Sequence, residues 1–136
     1  MNTYEKLYEE AVAARERSYS PYSGITVGAA LLTKDGGLYT GANIENASYT
    51  PTVCAERVAI FTAIHDGARD FDAIAIAGGK AGMASDADFV PCGVCRQVMA
   101  EFTDPDFKII TGDKDGKIIV RTLSEMLPFG FDSSKL

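Results

Sequence analysis

The chain has 136 residues, 46% hydrophobic and 24% charged, which suits one ordinary domain with a real core and excludes a disordered chain. Lys and Arg number 13 against 19 Asp and Glu, a net charge of −6, which disfavours nucleic acid and anionic membrane as partners. Three cysteines cannot all pair in a disulfide framework, so a reducing compartment with Cys kept for metal or catalysis is expected.

The first residues, Met1 to Lys6, are polar and mixed in charge, with no basic segment leading into an apolar one. The longest apolar stretches, Val27 to Leu32 and Ile74 to Ala77, fall far short of the roughly 20 residues that a membrane span needs. A soluble, cytoplasmic protein is expected.

Apolar residues at three- and four-residue intervals predict an amphipathic helix over Asn2–Arg17, with Asn2 and Glu5 as a capping box. Ser18 to Gly24 breaks it. Ile25–Thr33 and Leu38–Ile44 are expected to form a hairpin around the turn Lys34-Asp35-Gly36-Gly37. Glu45 to Val53 is a loop, and Cys54–His65 a helix stopped by Gly67. Phe71–Ala77 is apolar enough for a strand buried on both faces, followed by a long loop from Gly78 to Pro91. A helix over Gly93–Phe102, strands over Phe107–Thr111 and Lys117–Arg121, and a short helix over Thr122–Leu127 complete the chain. Thr122 and Glu125 form a second candidate capping box. No repeat or linker divides the chain, so residues 1–136 are expected to form one layered α/β domain, with helices flanking a mixed, roughly five-stranded sheet.

All three cysteines lie at predicted helix starts: Cys54 in Cys54-Ala55-Glu56-Arg57, and Cys92 and Cys95 in Pro91-Cys92-Gly93-Val94-Cys95-Arg96-Gln97. A helix N-terminus carries about half a positive charge and unpaired N–H groups, which favour thiolate. Three thiolates together make a tripod for Zn²⁺ with a fourth position left for water, the catalytic arrangement. Their summed charge with zinc is −1, and Arg57 is the candidate to offset it; Arg96 stands evenly between site residue and surface charge. Glu56, two residues past Cys54, can serve as proton shuttle. His65, late in its helix, suits the C-terminal dipole and is expected at the surface, not among the ligands.

Cys54-x-Glu56 followed by Pro91-Cys92-x-x-Cys95 is the three-cysteine form of the zinc deaminase pattern. Either half alone is weak; in this order, at helix starts, they are strong. The chain resembles the small homotetrameric cytidine deaminases over nearly its whole length. Three further segments carry that resemblance: Pro21 to Leu31, Asn43-Ile44-Glu45-Asn46-Ala47-Ser48-Tyr49, and Leu127-Pro128-Phe129-Gly130-Phe131 with terminal Leu136.

The resemblance implies one zinc per chain on Cys54, Cys92 and Cys95, and Glu56 as acid/base in converting cytidine and deoxycytidine to uridine and deoxyuridine. It also implies that Asn43 and Glu45 meet the ribose 3′-hydroxyl and that the Ala55 N–H holds the base. Phe131 would reach a neighbouring subunit's site, within a homotetramer, and Tyr49 would lie at an interface. Ile25 departs from the family, whose members often carry Phe against the base; the loss of ring stacking is worth roughly 0.5–1.5 kcal/mol. The alternatives are a deaminase of another cytosine nucleoside such as blasticidin S, a thiol redox protein using Cys92 and Cys95, and a binding module with structural zinc.

Overall fold

The computed structural model describes residues 2–136; of the N-terminal segment, Met1 lies outside the described residues. The sheet has five strands, β1 (Ile25–Thr33), β2 (Leu38–Ala42), β3 (Phe71–Lys80), β4 (Lys108–Gly112) and β5 (Ile118–Thr122), in the order β2-β1-β3-β4-β5. Only β3 and β4 run parallel, so the sheet is mixed. The four α-helices are α1 (Thr3–Ala14), α2 (Ala55–His65), α3 (Gly93–Phe102) and α4 (Leu123–Met126).

Alternation along β1 assigns the layers. Val27, Ala29 and Leu31 point to one face, where they pack with Ala55, Ala59 and Ile60 of α2 and with Cys95 and Met99 of α3. Ala30 points to the other, with Ala73, Ala75 and Ala77 of β3 beneath Leu7, Tyr8 and Ala11 of α1. The helices sit very close to the sheet at two glycines. A Cβ on Gly28 would fall 2.0 Å from the Ala11 carbonyl oxygen of α1. One on Gly41 would lie 2.5 Å from the Ala55 carbonyl oxygen of α2.

Three element boundaries differ from the sequence expectation by more than one residue. β2 ends at Ala42, and Ile44 instead makes isolated bridges to Tyr19 and Val53. The chain leaves β2 there because the Asn43 side chain turns inward to bond Val27 and Ile25 of β1. β3 runs on through Gly78, Gly79 and Lys80, which pair with Val27, Thr26 and Ile25. Glycine is a weak strand former, so that extension depends on its partner strand. α1 closes in a 3₁₀ turn over Arg15–Arg17. At its start Asn2 caps the Glu5 N–H, and at the far end of the chain Thr122 and Glu125 complete a reciprocal capping box.

Topology positions the site. β2 and β3 are both antiparallel to β1, so their C-terminal ends lie on one side of the sheet. β2 leads to α2 and β3 leads to α3. The N-termini of both helices therefore meet at that edge, where open α/β sheets place their ligands.

Candidate active site

Cys54 is the N-cap residue of α2 and Cys92 that of α3, both in extended backbone conformation. Cys95, one turn into α3, is fully buried, Cys54 is half-buried and Cys92 is exposed. All three sulfurs lie within 4.8 Å of one another, with Cys54 Sγ and Cys92 Sγ 3.7 Å apart. Zn–S bonds of ~2.3 Å at tetrahedral angles put sulfurs about 3.8 Å apart. This spacing fits a single zinc ion, and among the described residues it is the one cluster of three or more such donors.

The chemistry of the donors points the same way. A hydrogen bond from Cys95 holds the Cys54 thiol well below its ordinary value, and the same contact pushes Cys95 far up. Thiols this close cannot all ionise unaided; a dication among them removes the conflict. Arg57 adds positive charge, its Nη2 lying 3.5 Å from Cys54 Sγ. Its Nε is buried without a hydrogen-bond partner, so the guanidinium has donor capacity to spare. Arg96 belongs elsewhere. It bonds the carbonyls of Pro91 at 2.9 Å and Met126 at 2.7 Å, clamping the approach to Cys92 onto α4.

Glu56, in the first turn of α2, is 3% exposed. Burial pushes its carboxyl up to about 7. A carboxyl near neutrality beside the sulfurs can both accept and return a proton.

The remaining candidate residues gather on the same side. Ile44 and Val53 exchange both backbone hydrogen bonds at 3.0 Å. That antiparallel register sets Asn43 across from Cys54 and Glu45 across from Thr52. Asn43 is buried: its Oδ1 accepts from the Val27 N–H at 2.8 Å and the Ser18 hydroxyl at 2.6 Å, and its Nδ2 donates to the Ile25 carbonyl at 2.9 Å. One Nδ2 hydrogen is left over. Glu45 is partly exposed and lines an open cavity of about 340 Å³ with Tyr22, Ser23, Tyr49 and Thr52. Ile25 opens β1 at the edge of the core. Ala55, the first residue of α2, carries one of the N–H groups that no carbonyl of its own helix can take.

Two expected outward residues are outward. Phe131 is 57% exposed and attached through its carbonyl, which accepts from Gln97 Nε2 at 2.8 Å. His65, the last residue of α2, is exposed and far along the helix from the cysteines. What the sequence reading missed is the hold on Glu45: Tyr22 and Ser23 bond its carboxylate. The turn signal of Pro21 and Gly24 was visible, but its target was not.

The family model for the cytidine and deoxycytidylate deaminase zinc-binding region matches residues 1–111. A cytidine deaminase from Halalkalibacterium halodurans is 48% identical over 132 residues, covering 97% of this chain and 96% of that protein. The crystal structure of cytidine deaminase from Burkholderia pseudomallei superposes with a TM-score of 0.86 at 42% identity, covering 96% of this chain and 100% of the other. A blasticidin-S deaminase from Bacillus cereus is more distant, 32% identical over 108 residues, or 77% of this chain and 76% of its own.

Proposed function

The chain belongs to the cytidine and deoxycytidylate deaminase zinc-binding family, and from that premise we propose that residues 1–136 form one domain that hydrolyses cytidine and deoxycytidine to uridine and deoxyuridine, releasing ammonia. The observation that carries this reading is the convergence of three cysteine sulfurs at two helix N-termini beside the buried Glu56. Cys54, Cys92 and Cys95 would hold one zinc, which when bound supplies a Lewis acid that brings the pKa of water towards about 7.

Glu56 then takes one proton from the attacking water and delivers it to N3 of the cytosine ring. Once the C4–O bond has formed, it takes the proton left on that oxygen and passes it to the amino group, which leaves as ammonia as the C4 carbonyl forms. One water is consumed, and the ring exchanges its amino group for oxygen. A carboxyl held near 7 by burial suits both directions of transfer. The Ala55 N–H, at the positive end of α2, holds the base, and Arg57 offsets the surplus negative charge of the thiolates. Asn43, through its remaining Nδ2 hydrogen, and Glu45 meet the ribose 3′-hydroxyl. Ile25 supplies apolar contact to the base without ring stacking.

The exposed Phe131 is assigned to a neighbouring subunit's pocket and Tyr49, 73% exposed, to an interface, within a homotetramer. Exposed aromatics of this size are what a subunit interface covers. Among the described residues no helix is long and apolar enough to cross a membrane. Three free thiols suit the reducing cytoplasm.

The test pairs a zinc assay with a turnover assay on the same sample. The expected result is one zinc per chain and loss of the cytidine absorbance band, faster than with blasticidin S. The Glu56→Gln variant keeps its zinc and fold and loses about 10²–10⁴ in kcat. A zinc-replete protein inert towards cytidine would overturn the reading, and a reversible Cys92–Cys95 disulfide in place of metal would favour redox chemistry.

A further inference from the structure

The Glu45 carboxylate is gripped from one turn of the chain. Its Oε1 accepts the backbone N–H groups of Tyr22 at 2.9 Å and Ser23 at 3.1 Å. Its Oε2 accepts the Ser23 hydroxyl at 2.5 Å. The same Ser23 Oγ accepts the Ile25 N–H at 3.0 Å, so one hydroxyl ties Glu45 to the start of β1. The turn is itself braced, with Gly24 at φ +70 and its N–H bonded to the Ser20 carbonyl at 3.1 Å.

A carboxylate offers about four lone-pair directions. Three are filled here, which leaves one on Oε2, in a residue that lines an open cavity. Two bonds to Oε1 alone would let the group pivot about that oxygen. The Ser23 bond to Oε2 removes the pivot and directs the remaining lone pair.

We infer that Ser23 is a positioning residue for substrate selection: its hydroxyl holds Glu45 in the one orientation that accepts a hydrogen bond from a free 3′-hydroxyl, and thereby favours nucleosides that carry this hydroxyl over those that lack it. This rests on the ribose contact proposed for Glu45. A nucleoside with no 3′-hydroxyl makes no such bond, so it is indifferent to how Glu45 is oriented.

The experiment compares kcat/KM for cytidine and 3′-deoxycytidine in the zinc-loaded enzyme and in its Ser23→Ala, Ser23→Thr and Glu45→Ala variants. Melting temperature and zinc content are measured alongside. The expected result is that Ser23→Ala lowers the ratio of the two values about tenfold, through KM more than kcat, and that Ser23→Thr restores it. An equal fall for both substrates would make Ser23 merely structural and overturn the inference. A ratio that collapses in Glu45→Ala but stands in Ser23→Ala would overturn it too, leaving the ribose contact intact. A ratio unmoved by Glu45→Ala would remove the ribose contact itself, and the inference with it.

Discussion

Arg57 Nη2 lies 3.5 Å from the sulfur of Cys54, three residues earlier on the same helix start. The pair is local in sequence, yet its consequence is not, because Cys54 shares its proton balance with Cys95 from another helix. A fixed cation beside the cluster favours thiolate, and thiolate is the form that binds metal.

Replacing Arg57 with Ala is therefore expected to loosen zinc. Transfer of the metal to a chromogenic chelator should speed up about tenfold or more, since one uncompensated charge at this distance is worth over a kcal/mol even with strong screening. Unchanged transfer kinetics would mean that the helix N-termini alone carry the charge balance.

Asn43 bonds three partners from within the core edge, including the Val27 N–H. Asn43→Ala leaves that buried N–H and the Ile25 carbonyl without their partner. The expected loss is about 2–3 kcal/mol, seen as a fall of roughly 8–12 °C in the melting temperature of the zinc-loaded protein. Loss of activity without loss of stability would confine Asn43 to substrate binding.

Gly41 faces the first turn of α2 with no room for a side chain. The Cβ of Gly41→Ala would meet backbone atoms, Ala55 O at 2.5 Å and Ala59 N at 2.6 Å, so the helix itself must move. That is expected to cost about 1–3 kcal/mol and, because Cys54 caps α2, to weaken zinc retention in parallel. Denaturant unfolding and chelator competition on one sample check both.

Asp88 is gripped by Arg121 through two hydrogen bonds of 2.7 and 2.8 Å, and Thr111 adds a third. Arg121, and then Thr111, hold the carboxyl below its usual range. Its folded value is depressed, so the stability it contributes is complete above the unfolded value of about 3.9 and is lost as pH falls through the folded one. With side chains 31% and 40% exposed, the pair is worth only about 0.5–1 kcal/mol after screening. Urea unfolding of Arg121→Ala should thus show a constant deficit from about pH 5 to 8 that shrinks below about pH 4. A deficit that widened on acidification would contradict the pairing.

The sequence by itself determined which chemistry this chain carries. Cys54, Glu56, Cys92 and Cys95 announce a zinc site because ligand type, spacing and helix-start position are all local properties of the chain. Helix periods, capping residues and the Gly-bearing turns were equally local, and the capping box at Thr122 and Glu125 formed as expected. Tertiary structure alone decided how distant segments meet. The continuation of β3 through two glycines, the inward turn of Asn43, and the Ser23 hydroxyl on Glu45 each depend on a partner 16 to 55 residues away. Hydrogen bonds of that range leave no periodicity in the residues that make them. The odd third cysteine was legible from the start as a ligand without a disulfide partner; its position beside the other two came from strand direction, which sends α2 and α3 to the same edge of the sheet.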